Sequence, residues 1–225
     1  MSNNTLNQVK TAPVGLEDLV THLEPSIIDT QQSDEQPQAM LQGPNIPPLK
    51  QWQPNYCADM DLLIKANGEW WHEGRQIMRQ SLIDLFATIL WREGSDEAPQ
   101  YFLKTPVEKM RIQVEDVPFF ITQVNEVQQQ GMSYLQFVTA TGDVVYLTED
   151  NLIEMRPYYP QDSAQKQSAE PEYRPYIPVR FGMYGLISRS VFMHLVGLGE
   201  ITEQDGETRL SLISGGKTHH LSVPS

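Results

Sequence analysis

Two stretches of this chain carry the same side-chain types at the same spacing: Ile77, Arg79, Leu82, Leu85 and Phe86, and then Ile187, Arg189, Phe192, Leu195 and Val196. In each, three apolar residues recur at i, i+3 and i+4, the stripe of a short helix that must bury one face against a neighbouring element. Any amphipathic helix supplies those three positions, but not the arginine at the helix start or the isoleucine before it. Both stretches follow strand-like residues and precede another strand. The pattern implies a strand–helix–strand unit used twice, and so an α+β protein built of two small, mainly antiparallel units.

The first unit is expected over residues 47–156. Asn67-Gly68 lies between the apolar runs Leu62-Leu63-Ile64 and Trp70-Trp71, a strong short-range hairpin signal. From Arg79 the apolar residues Leu82, Leu85, Phe86, Ile89 and Leu90 predict one helix ending near Gly94. Strand-like runs follow at 101–103, 111–114, 119–127, 134–139 and 144–147, divided by turn signals such as Asp116-Val117-Pro118, Gln130-Gly131 and Thr141-Gly142-Asp143. This reads as an antiparallel meander with one helix packed on it. The second unit, 176–225, repeats the theme in miniature: a strand over 177–183, a helix stopped by Gly197 and Gly199, and a strand over 208–213.

Between the units, residues 157–175 run through Tyr158-Tyr159-Pro160 into a polar stretch and Pro171, the composition of a linker or long surface loop. Residues 1–46 are rich in Gln, Asn, Ser, Thr and Pro and offer too little apolar surface to offset the entropy of ordering them. They are expected to be a disordered tail. Within it Leu16, Leu19, Val20 and Leu23 would share one helical face until Pro25 ends the run. Such a segment suits docking to a partner or to the protein's own body.

The whole chain of 225 residues has 16 Lys+Arg against 29 Asp+Glu, a formal charge of -13. An excess of negative charge this large repels nucleic acid and argues against a nucleic-acid polymer as partner. No apolar run approaches the roughly 18 residues of a membrane span, and Met1-Ser2-Asn3-Asn4-Thr5 does not begin a secretory signal. A single cysteine, Cys57, rules out an intrachain disulfide. A cytoplasmic, bacterial-style protein without a membrane partner is the expectation.

Most catalytic motifs are near misses. His72-Glu73-Gly74-Arg75-Gln76 starts like H-E-x-x-H, but Gln76 stands where the second histidine is needed to hold zinc. Gly216-Lys217-Thr218 copies the end of a phosphate-binding loop, yet Ser211 occupies its first glycine position and too little chain follows for the helix that loop requires. Ser214-Gly215-Gly216 is better explained as a turn between strands. Asp59/Asp61 and Glu115-Asp116 are the closest carboxylate groupings, and neither spacing sets an acid/base separation. His219 and His220 are neighbours on a strand and face opposite sides. The basic residues Arg79, Lys109, Arg180 and Arg189 are the ones to watch, because Arg79 and Arg189 sit where a cation opposes the helix dipole and calls for a partner. That partner is either a protein carboxylate such as Glu108 or Glu115, or a phosphate.

Several segments, in order, resemble the bacterial domain-of-unknown-function family number 1285. They are Pro48-Leu49 with Trp52 and Pro54, Cys57-Ala58-Asp59-Met60-Asp61, Gly68-Glu69-Trp70-Trp71-His72-Glu73-Gly74 with Ile77 and Arg79, Thr105-Pro106-Val107-Glu108-Lys109, Val114-Glu115-Asp116-Val117-Pro118-Phe119, Val179-Arg180-Phe181-Gly182 and Ser214-Gly215-Gly216. Gln76 and Ala58 stand where the family usually has Pro and Gly. The resemblance implies a two-part α+β fold with a duplicated motif, the C-terminal part loosely similar to pleckstrin-homology-like barrels. It also implies a role in signal transduction, with a nucleotide-like ligand between the two parts. Carried over position by position, the ligand-binding residues would be His72, Glu73, Arg79, Thr105, Glu108, Lys109, Glu115, Asp116, Arg180 and Arg189. The resulting expectation is a non-catalytic regulatory protein with a small anionic, nucleotide-type ligand and no cofactor named by any motif. The alternatives are a protein-interaction module recruiting a partner through residues 16–23 or through a pleckstrin-homology-like edge, and a metal-dependent hydrolase using Glu108, Glu115 or Asp116.

Overall fold

Asn67 and Gly68 reverse the chain between β1 (Tyr56–Ile64) and β2 (Trp70–His72), which pair antiparallel with Ile64 opposite Trp70. A computed structural model describes residues 43–159, 171–204 and 207–223. The expected helix over residues 16–23 lies outside the described residues, as do residues 160–170 of the expected linker.

After the short strand β3 (Arg75–Gln76) comes α1 (Gln80–Thr88), followed by β4 (Leu90–Glu93), β5 (Gln100–Lys104) and β6 (Glu108–Val114). These close a six-stranded sheet in the order β3-β2-β1-β6-β5-β4, with β6 parallel to β1. The helix is shorter than its apolar stripe suggests. Ile89 ends it and Leu90 already pairs with Leu103 in the sheet, so both are buried as strand-side residues. A run of apolar residues continuing from helix into buried strand keeps the burial while the backbone changes.

Residues 119–187 form the second six-stranded sheet: β7 (Phe119–Gln129), β8 (Met132–Thr139), β9 (Val144–Tyr146), β10 (Glu154–Tyr158), β11 (Glu172–Arg180) and β12 (Met183–Ile187), in the order β10-β11-β12-β7-β8-β9. This corrects two expectations. The unit boundary falls after Val114 rather than at 156, because β7 pairs in parallel with β12, from Phe119 opposite Gly185 to Ile121 opposite Ile187. The single strand expected over 177–183 is two strands joined at Phe181-Gly182. Both turn residues have positive φ, 51° and 70°, the two-residue turn whose twist matches a hairpin. Glu73-Gly74, Gln130-Gly131 and Gly215-Gly216 turn the chain in the same way.

Beyond the second sheet, Ser188 caps α2 (Arg189–Leu198) by accepting a hydrogen bond from the Val191 N–H. A three-stranded meander follows, β13 (Glu200–Gln204), β14 (Glu207–Ser214) and β15 (Lys217–Val223). The duplication is therefore larger than strand–helix–strand: each copy is a hairpin, a helix and a three-stranded meander. Buried side chains follow the same division. Leu62, Ile64, Trp70, Phe86, Leu103 and Met110 fill the first core, and Ile121, Phe137, Ile177, Ile187, Leu195 and Leu210 the second. Phe119 and Met183 reach from the second sheet into the first core, so the two units share an apolar seam.

Candidate functional site

Arg180 closes one end of that seam. Its Nε donates to Asp143 Oδ1 at 2.6 Å and its Nη2 to the Ala87 carbonyl at 2.5 Å, one of the open carbonyls at the end of α1. Its guanidinium also lies 4.9 Å from the Phe119 ring centroid. The side chains of Arg180 and Asp143 retain only 12% and 6% exposure. The ion pair ties β11 to the turn before β9 within the second unit, and the hydrogen bond to the Ala87 carbonyl carries Arg180 across to the end of α1 in the first.

Elsewhere at the seam a cavity of about 250 Å³ opens between β4–β5 of the first unit and β10–β12 of the second. Arg92, Tyr101, Asp116, Arg156, Tyr176 and Tyr184 line it, with Gly182 at its edge. Alternation on antiparallel strands places these side chains. Arg156 faces Arg174 directly across β10 and β11, with Glu154 opposite Tyr176 and Tyr158 opposite Glu172. Arg156 lies 3.7 Å from the Tyr184 centroid and Arg174 3.5 Å from that of Tyr158. Each arginine is held by the glutamate two residues before it, through Glu154 Oε2 at 2.6 Å and Glu172 Oε2 at 2.7 Å. Arg92 is held by the Ser95 carbonyl and by Asp96, whose side chain is 89% exposed.

Asp116 lies deepest of the charged groups, with 11% of its side chain exposed. Tyr176 donates to its Oδ2 at 2.8 Å, and Arg174 Nη1 stands 3.6 Å from the same oxygen. Burial raises the Asp116 carboxyl above the ordinary aspartate value, against the lowering effect of Tyr176 and Arg174. Burial likewise raises the phenols of Tyr101 and Tyr176, so both are donors at neutral pH.

Of the ten residues carried over from the family resemblance, Asp116 lines this cavity and the others lie elsewhere. His72 Nδ1 is 2.7 Å from the Asp61 carbonyl at the end of β2, and Glu73 sits exposed in the following turn. Arg79 is an exposed residue before α1 that donates to Ser81 Oγ. Thr105, Glu108 and Lys109 come together around one turn. Thr105 Oγ1 accepts from the N–H groups of Val107 and Glu108, while Lys109 pairs with Glu93 at 2.7 Å. Glu115 accepts the Ala66 N–H and so holds the hairpin turn. Arg189 opens α2. Neither Glu108 nor Glu115 is the partner of Arg79 or Arg189 among the described ion pairs.

Arg156 and Tyr176 of the cavity, with Arg174 and Tyr158 beside it, were carried by a signal that composition hides. Glu154-Met155-Arg156-Pro157-Tyr158 and Glu172-Tyr173-Arg174-Pro175-Tyr176 are one motif, E-x-R-P-Y, written twice. Antiparallel pairing sets the two copies head to tail about the Arg156–Arg174 pair. Among the described residues no three His, Cys, Asp or Glu side chains gather as a metal site, and no helix is long and apolar enough to cross a membrane.

Residues 47–117 match the N-terminal domain of the DUF1285 family, described as a domain of unknown function, and residues 118–221 match the family's C-terminal domain. The chain belongs to the DUF1285 family. The family's domain division falls in the link between β6 and β7, where strand pairing also divides the molecule. A DUF1285 family protein from Silicibacter pomeroyi is similar in structure, with a TM-score of 0.61 and 34% identity over 81% of this chain and 90% of that one. A second DUF1285 protein, from Shewanella baltica, is 28% identical over 61% of this chain and 91% of that one, with a TM-score of 0.42. No curated protein matches the chain.

Proposed function

We propose that this DUF1285 protein is a non-catalytic regulatory protein that binds a small anionic, nucleotide-type ligand in the seam cavity. The observation that carries the reading is the Arg156–Arg174 pair. Like charges directly opposite one another weaken a strand pair, and here two guanidiniums face each other beside the cavity with Arg92 on its far wall. Asp96, Glu154 and Glu172, which hold them, are 89%, 44% and 61% exposed, so those ion pairs are weak and an anion drawn into the cavity can displace them, while Arg174 keeps its buried partner Asp116 at 3.6 Å. Arginine forks suit phosphate or carboxylate oxygens. The rings of Tyr101, Tyr176 and Tyr184 offer aromatic surface for a base, and Asp116 can accept from a base or ribose donor.

A thermal-shift screen against inorganic phosphate, nucleoside mono- and diphosphates and cyclic nucleotides tests this. A ligand at about 100 times its Kd adds roughly 2.7 kcal/mol of stability. The expected result is a shift in wild type, lost in Arg156→Gln and kept in Arg111→Gln, whose guanidinium pairs with Asp59 on an exposed face. A flat wild-type screen, or a shift that Arg156→Gln leaves intact, contradicts it.

A further inference from the structure

An open groove of about 550 Å³ lies at the start of α2, next to the ligand cavity, with the paired Arg174 and Glu172 on its wall. Phe120, Met155, Tyr173, Leu186 and Phe192 give it an apolar floor, and Arg189 stands on its wall. Arg189 is exposed, and it forms no ion pair among the described residues although it opens a helix, where the dipole disfavours a cation. The groove therefore asks for an apolar stripe flanked by carboxylates.

One segment outside the described residues has that chemistry. Leu16, Leu19, Val20 and Leu23 would share a helical face, and Glu17 and Glu24, seven residues apart, would lie together on one flank of it. Residues 160–170, the other long segment outside the description, carry nothing apolar larger than proline and alanine and cannot fill such a floor. Gly43 lies against Val144 of β9. The residues between Glu24 and Gly43 can span up to roughly 60 Å when extended, ample to bring the segment across a domain of this size. An isolated helix of two turns is marginal in water, so the segment gains its order from the surface it covers.

We infer that residues 16–24 of this chain dock as a helix into the groove of their own molecule, Leu16, Leu19, Val20 and Leu23 on the apolar floor and Glu17 and Glu24 against Arg189. The groove shares no lining residue with the seam cavity, though Arg174 stands beside both, and the docking does not depend on whether an anion binds there.

Hydrogen exchange on the full chain, read by mass spectrometry, tests it. Leu19→Asp with Leu23→Asp should speed exchange at least threefold over residues 186–193 and leave residues 100–114 unchanged. Arg189→Glu should do the same, and adding Glu17→Arg and Glu24→Arg should restore the protection. Exchange over 186–193 that is equal in wild type and the double-aspartate variant overturns the inference. So does protection in wild type that fades on tenfold dilution, which would give the groove to a second copy of the chain.

Discussion

The two copies of the hairpin–helix–meander differ in what the meander does. In the first, β6 returns to pair with β1 and one sheet holds all six strands of the unit. In the second, the meander β13–β15 stays a sheet of its own, and the hairpin β11–β12 takes β7, β8, β9 and β10 as partners instead. The meander is still fastened. Ser214 Oγ donates to the Leu147 carbonyl at 2.7 Å and accepts from the Leu135 N–H at 3.0 Å, both at buried positions. Repeating a unit does not repeat its sheet: the hairpin strand β3 is an edge in the first, whereas its counterpart β12 pairs in parallel with β7, one of the strands inserted before the second hairpin. That insertion also creates the seam, because β10–β12 then face β4–β5 across the cavity.

The sharpest way to break the comparison is to remove the helix anchors. Phe86 is fully buried under the first sheet, whereas Val196, its counterpart in the repeat, is only half-buried. Phe86→Ala should cost about 3–5 kcal/mol and Val196→Ala no more than about 1 kcal/mol by chemical denaturation. Equal losses would mean the copies bear load alike. Arg180→Ala comes next. It strands the buried Asp143 and frees the end of α1, an expected loss of about 3 kcal/mol, with part recovered in Arg180→Ala/Asp143→Ala. Failure of the double variant to recover stability would deny that the loss comes from the stranded, buried Asp143 carboxylate.

A smaller effect is expected at the hairpin of the second copy. Gly182 has φ of 70°, and a Cβ there would lie 3.1 Å from Arg92 Nη1. Gly182→Ala should cost about 1–2 kcal/mol and move Arg92 in the cavity wall. Gly74→Ala, in a turn with open space around it, should cost only the backbone part. The smallest effect is at Asp116. Burial raises its carboxyl, so in the folded protein the charged form is the disfavoured one. The destabilisation is present above the folded pKa and vanishes as pH falls below the ordinary aspartate value near 3.8. Asp116→Asn should therefore melt higher than wild type at pH 7, with the gap closing toward pH 3.5. A gap that widens in acid reverses the sign and contradicts the desolvated carboxylate.

Legibility in the sequence followed locality. The hairpin at Asn67-Gly68, both helix stripes, the Gly197/Gly199 stop and the Ser214-Gly215-Gly216 turn are set by residues close in the chain, and the structure has them all. The unit boundary was not legible, since pairing of Phe119 with Gly185 is a long-range choice among strands of similar pattern. The site was less legible still. Arg180 has the look of a ligand residue because a buried ion pair and an anion site need the same side chain. The E-x-R-P-Y repeat was obscured because Pro157 and Pro175 suggest a linker. Pro157 lies on the edge strand β10, where a missing N–H is tolerated.

The most direct test of the seam site is to follow the arginine Nε–Hε resonances of the full chain by NMR while AMP is added. The account predicts that Arg92, Arg156 and Arg174 shift along saturating curves and that Arg180 and Arg111 stay where they are. Shifts at Arg180 with none at Arg156 and Arg174, or no arginine shift with any nucleotide in the thermal-shift panel, would contradict it.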